Sequence, residues 1–266
     1  MSAGLPIVKE EKDEAAVITS LCSLIESKAA AALNQDPTAT FNLGLSGGSL
    51  AKFLCQGLPS IQTDWARWRL FFCDERLVDV ESSDSTWGLY QSSLVPATPL
   101  TAAQFLTVNT SLDPLEAASD YERRLVELTG LKLDMLLLGA GPDGHTCSLF
   151  PGHQLLAEPA GGRTVAHITD SPKPPPARVT LTLPVSIDSS DIIKLLLLIL
   201  LLSQVINSAK CCVFAAVGES KAEMMKKLLG AEQPEKPEDL PARMVRPTTG
   251  ELYWILDVAA ASKLKL

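Results

Sequence analysis

His145 is the residue in this chain best placed to move a proton. It sits in LDMLLLGAGPDGHTCSLFP, residues 133–151. There Asp134 to Leu138 has the length and unbroken apolar character of a strand covered on both faces. Gly139, Gly141, Pro142 and Gly144 then forbid regular structure and let backbone amides approach a ligand. A histidine just past the carboxyl end of a buried strand lies where parallel-sheet proteins keep their sites. Three other segments bear on the same chemistry. In FNLGLSGGS, residues 41–49, a second strand ends in Ser46, Gly47, Gly48 and Ser49 before a helical run. Small residues at a helix start leave amide donors open to an anion, and the helix dipole favours negative charge. In WRLFFCDER an aromatic strand gives way to Asp74, Glu75 and Arg76, which reads as a ligand-facing rim or as a solvated strand end. In SPKPPPAR, prolines stiffen an extended connection that presents Lys173 and Arg178, cations suited to a phosphate. Neither Gly-Lys-Ser/Thr nor GxGxxG occurs at the serine-glycine turn, so a phosphorylated small molecule is expected rather than a nucleotide.

These phrases resemble the 6-phosphogluconolactonase family. The likeness is carried by LGLSGGS, FFCDER, LLLGAGPDGHTCSLFP, SPKPPPARVTLTLPV and INSAKCCVFAAVGESKAEMMKKLL, and it runs from about Ala15 to Ala260. The resemblance implies a cytosolic enzyme that hydrolyses 6-phosphoglucono-δ-lactone without a cofactor in the oxidative pentose phosphate pathway. It also implies a doubly wound, mostly parallel sheet flanked by helices, related to sugar-phosphate isomerases and deaminases. Within that frame His145 is expected to be the general base, since an imidazole with a reference pKa near ~6.5 accepts a proton from water at neutral pH. Asp143 or Asp74 would orient it or the sugar hydroxyls. Amides of the Gly139 to Gly144 loop, Gly141 and Gly144 among them, would steady the oxyanion. Ser46, Gly47, Gly48, Ser49, Arg76, Lys173 and Arg178 would hold the phosphate.

Composition bounds the rest. A chain of 266 residues suits one α/β domain. The six cysteines show no CxxC, and the N-terminal MSAGLPIVKEEKDE carries no apolar targeting stretch, so reduced thiols and a cytoplasmic location are expected. The three histidines lack metal-ligand spacing, and no metal is expected. A net charge of −8 argues against nucleic acid. The expected partner is the sugar phosphate alone, met by a monomer with no membrane span.

The elements that must position these residues follow from periodicity. Helices are expected over Asp13 to Leu33, Leu50 to Gly57, Thr86 to Leu94, Leu115 to Leu128 and Lys221 to Leu229. Strands are expected over Phe41 to Leu45, Arg69 to Cys73, Asp134 to Leu138, Cys211 to Val217 and Glu251 to Leu256. Trp87 and Tyr90 read as packing residues. A helix is expected to open after Gly144 with Ser148 along it. GxSxG is absent and Cys147 lies in an apolar run, so a covalent nucleophile is not favoured.

One segment departs from the family pattern. Between LTLPV and INSAK stand twenty extra residues, 186–205, whose 192–202 run is leucine and isoleucine except for Lys194. Eleven residues fall short of the ~20 a bilayer requires. The segment reads as an added helix, a partner-binding element or, favoured by its low complexity, translated intron or misassigned exon. Two other functions stay open: a sugar-phosphate isomerase or deaminase using an aspartate resembling Asp74, and a non-catalytic sugar-phosphate-binding protein.

Overall fold

The computed structural model describes residues 5–156, 163–183, 205–230, 234, 236 and 239–264. Seven parallel strands form the central sheet: β1 (Ile7–Glu11), β2 (Phe41–Leu45), β3 (Trp68–Phe72), β5 (Phe105–Leu106), β6 (Met135–Leu138), β9 (Cys211–Ala216) and β10 (Glu251–Asp257), in the order β1-β10-β9-β6-β2-β3-β5. A second, antiparallel sheet holds β4 (Asp74–Arg76), β8 (Arg178–Leu181) and β7 (Val165–Ile168).

Alternation along the strands divides the core in two. Met135 and Leu137 join a cluster on one face of the sheet, and Leu136 and Leu138 join a cluster on the other. This is the period of two that an extended backbone imposes. Helices α1 (Glu14–Leu33), α2 (Ser49–Gly57) and α3 (Thr86–Ser93) cover the first face. The second is covered by α4 (Pro114–Thr129), a short α5 (Val205–Ser208), α6 (Ala222–Leu229), α7 (Val258–Ala261) and the small sheet. Helices on both faces of a parallel sheet make the doubly wound fold that the strand-to-helix alternation predicts. Helix α1 is long and apolar enough to cross a membrane by composition alone, and in this fold half of its apolar stretch is buried, with Val17, Leu21 and Ile25 fully covered.

The helix starts have local causes. Asp13 accepts from the Ala16 amide at 2.9 Å to begin α1. Asp113 accepts from the Leu115 and Glu116 amides before Pro114 opens α4. Several expectations change. Leu115, expected on the apolar stripe of α4, is exposed. No helix opens after Gly144: the Gly141 amide donates back to the His145 carbonyl at 2.9 Å, and Cys147 is left-handed at φ 51°, so residues 145–150 form turns. The DER segment, read as a rim or a solvated strand end, and Arg178, read on an extended connection, lie in paired strands, with Asp74 opposite Thr180, Glu75 opposite Val179 and Arg76 opposite Arg178. Strand β1 was not expected, and it pairs in parallel with β10 from Ile7 against Tyr253 to Glu11 against Asp257.

The expected insertion at 186–205 lies outside the described residues except for Val205, which is buried as the first residue of α5. Leu183, on the near side, is buried in the same apolar cluster as Val205.

Candidate active site

Strand order places the site. From β2 the chain steps outward to β3 and β5, then returns to β6 on the other side of β2 and continues to β9 and β10. Crossovers on either side of the β2–β6 pair diverge, which opens a crevice at the strands' carboxyl ends. A cleft of about 240 Å³ lies there, and the turns after β2, β6 and β9 line it together with β4 and β8.

The turn after β2 contributes Ser46, Gly47, Gly48 and Ser49. Gly48 precedes α2 with φ 70° and ψ −145°, a backbone only glycine adopts easily, and no side chain caps the helix start. The first amides of α2 therefore lack a protein side-chain acceptor at its N-cap. Tyr90, buried as expected, donates its hydroxyl to the Ser46 carbonyl at 2.9 Å and fixes the turn from behind.

Strands β4 and β8 bring cations. Arg76 and Arg178 are direct cross-strand partners, and both line the cleft. Burial lowers the Arg178 pKa from its ordinary value, and the neighbouring Arg76 charge lowers it further. Like charges directly opposite each other cost stability in a sheet, a cost that Asp74, Asp84 and Glu75 offset in part and that an anion in the cleft would offset further. The Nε of Arg76, Oγ of Ser46 and Oγ1 of Thr86 are buried without a hydrogen-bond partner. Each such group costs about 1–3 kcal/mol until something binds it. Glu75 departs from the rim reading. It turns inward, where its carboxylate accepts from the Thr86 and Trp87 amides at 2.8 and 2.7 Å and caps α3. Burial nonetheless raises its pKa.

The loop after β6 places the histidine. Asp143 Oδ1 lies 2.5 Å from His145 Nδ1, so that nitrogen carries the proton and donates. Nε2 is then the basic nitrogen of a ring that lines the cleft. The imidazole pKa is lowered, chiefly by burial, against an upward pull from Asp143 and with a further downward push from Lys173. Burial also disfavours the Asp143 carboxylate, but the bonds from His145 and Lys173 outweigh it and hold its pKa below the ordinary value. A Cβ on Gly141 would stand 2.1 Å from the ring, so the histidine occupies space that only glycine leaves.

Not every expected residue faces the ligand. The Gly141 amide is engaged by the His145 carbonyl, and the Gly144 amide donates to the Gly141 carbonyl at 3.0 Å. Those two amides hold the loop's shape and are not free for an oxyanion. Gly144 packs toward Leu240, away from the lining. Lys173 reaches Asp143 Oδ1 at 3.2 Å and His145 Nδ1 at 3.1 Å. Arg178 Nε and Nη2 donate to the carbonyls of Pro175, Lys173 and Pro174. Asp74 is in the lining and accepts from the Ser148 hydroxyl at 2.9 Å, so Ser148 is tied to a carboxylate and lies on no helix. Cys147 does reach the lining, yet its thiol is pushed up by the Cys73 thiol and by burial, and stays protonated. All six cysteines are unpaired.

One charged lining residue escaped sequence reasoning. Lys221, just before α6, donates to the Ala140 carbonyl at 3.2 Å and enters the cleft. Burial lowers its pKa, helped by the charge of Lys173. Its only sequence signal is its place after β9 in VGESK, a glycine-bearing turn like the one after β2.

The comparisons with known proteins agree on one family. The family model for glucosamine-6-phosphate isomerases/6-phosphogluconolactonase matches residues 12–197 and 199–254. The chain is similar to the 6-phosphogluconolactonase of Rattus norvegicus, 43% identical over 256 residues, covering 93% of this chain and 89% of that protein. It is also similar to that of Homo sapiens, 44% identical over 254 residues, with coverage of 92% and 88%. Among solved structures it is similar to 6-phosphogluconolactonase from Trypanosoma brucei, with a TM-score of 0.76, 23% identity and coverage of 99% and 100%.

Proposed function

The chain belongs to the glucosamine-6-phosphate isomerase/6-phosphogluconolactonase family, and from that premise we propose that it hydrolyses 6-phosphoglucono-δ-lactone to 6-phosphogluconate with His145 as general base. The carrying observation is the cleft itself, where an imidazole held through Nδ1 by Asp143 shares one pocket with a cross-strand pair of arginines.

The phosphate end is the turn at Gly47, Gly48 and Ser49 with Arg76, Arg178 and Lys221. It meets Arg76 Nε and Ser46 Oγ, which have no protein partner, so a bound phosphate would satisfy both. A phosphate fixed at one end places the lactone carbonyl at the other, and that remote binding energy positions the reacting carbon. His145 Nε2 takes a proton from water as the oxygen bonds to the carbonyl carbon. The tetrahedral intermediate collapses by breaking the bond to the ring oxygen, which takes the proton back from Nε2. Asp143 holds the ring through both transfers. Asp74, anchored by Ser148, faces the sugar hydroxyls.

The composition and the family likeness lead us to read it as a cytoplasmic monomer that acts on a phosphorylated sugar lactone, with no nucleic acid or membrane as partner. The test is lactone hydrolysis above the spontaneous rate, followed by proton release. His145→Ala is expected to lower kcat about 10²- to 10⁴-fold with the fold intact. Wild-type turnover in that variant would remove His145 from the mechanism.

A further inference from the structure

Lys173 is an extended-loop cation that belongs, by charge alone, with a phosphate. Its ammonium stands elsewhere: 3.2 Å from Asp143 Oδ1 and 3.1 Å from His145 Nδ1. We propose that Lys173 is a positioning residue for the Asp143–His145 pair, fixing the carboxylate and keeping the imidazole uncharged, and that it is not a phosphate ligand. The proposal rests on the reading of His145 as general base.

The loop is built to deliver this one side chain. The Ser171 hydroxyl donates to the Lys173 carbonyl at 2.7 Å and accepts from its amide at 3.2 Å. The Ser171 amide donates to the Pro176 carbonyl, closing the loop on itself. Arg178 then clamps it from inside, donating to the carbonyls of Lys173, Pro174 and Pro175 at 2.9 to 3.2 Å. A turn held by these six bonds points the Lys173 stem in one direction.

The chemistry needs that cation. A carboxylate alone beside Nδ1 stabilises imidazolium, and a base already protonated at neutral pH accepts nothing. An ammonium close to the same nitrogen opposes that pull. It shares Asp143 Oδ1 with the imidazole, so the carboxylate's charge is divided between two donors. When Nε2 takes the water's proton, the new imidazolium lies next to Lys173 and is the stronger acid for it. That favours return of the proton to the departing ring oxygen.

The charged groups acting on His145 come from three elements. Asp143 is on its own loop, Lys173 is on the proline loop, and Asp74 is on β4 and raises the imidazole pKa. Lys221, at the start of α6, acts in turn on Lys173 and Asp143. Phe150, 4.8 Å from the imidazole ring centre, is uncharged. Of these, Lys173 is the cation in direct contact with the ring.

The experiment compares Lys173→Met and Lys173→Arg with the wild-type full chain. The acid limb of kcat/KM is followed for the lactone, and the His145 ring is titrated by NMR. In Lys173→Met the ring is expected to titrate at higher pH, the acid limb to move up with it, and kcat to fall several-fold while KM stays within about twofold. Lys173→Arg, which keeps the charge, is expected to restore the limb toward wild type. A rise in KM with an unmoved NMR titration would overturn the proposal and return Lys173 to the phosphate. If the ring titration moves and the rate profile does not, Lys173 does set the ring's charge and the base assignment is what fails.

Discussion

At the scale of single residues, the site depends on one atom that is missing. Gly141 has no Cβ, and the space a Cβ would take holds the His145 ring and Asp143 Oδ1, at 2.1 and 2.7 Å. Gly141→Ala is therefore expected to leave the melting temperature nearly unchanged and to reduce kcat by about 100-fold, because a base displaced by an ångström loses its line to the water. Parallel thermal melts and initial rates check this. The pH dependence has a fixed sign. In the proposed mechanism His145 is a base when neutral, and its pKa lies below the ordinary imidazole value, with burial the largest cause. The acid limb of lactone hydrolysis, corrected for the spontaneous rate, should be centred below about 6.5. A limb centred above that value would mean that Asp143 outweighs burial in the working enzyme. His145 and its loop were legible because glycines and a histidine after a buried strand have few other uses. Which groups touch the imidazole was not, since Lys173 comes from 28 positions away and no local pattern records that approach.

The smallest elements line the cleft and were the hardest to read. DER is too short and too polar to announce a strand, and it becomes one because β8 supplies partners for all three residues. That pairing sets Arg76 against Arg178, the repulsion an anion would relieve. Inorganic phosphate or 6-phosphogluconate at 100 times its dissociation constant should stabilise the wild type by about 2.7 kcal/mol. In Arg76→Ala the same concentration should give much less stabilisation, and KM for the lactone should rise more than kcat falls. Thermal shift and steady-state kinetics read the two effects. Glu75 shows the opposite error, a charge that looks available and is committed to capping α3. Longer elements with a clear 3.6 or 2 period were legible to within a residue or two, as α1 and β2 show. β1 was missed because IVKEE lies at a sheet edge, where a strand shows little alternation.

Across the whole molecule, the cleft draws on turns from Ser46 to Lys221, brought together by the reversal of strand order between β2 and β6. The sequence likeness implied this fold, while the small antiparallel sheet depended on pairings between distant segments. The same architecture bears on residues 186–205. Leu183 and Val205 are buried in one apolar cluster, and deleting 186–205 would put Val185 where Val205 stands. A chain so shortened is expected to hydrolyse the lactone within about threefold of the full chain, since closing a longer loop adds little entropy cost. Activity confined to the shortened chain would show that the extra residues disable the site. The β1–β10 pair has a consequence in time. β1 ends at Glu11 and β10 ends at Asp257, so β1 leaves a ribosome and waits for a partner made far later. At roughly 5–20 residues per second, that wait is on the order of ten seconds or more. In the last part of it, after β9 is made and before β10 follows, β9 presents an unpaired edge, and the nascent chain is then exposed to mispairing with its neighbours.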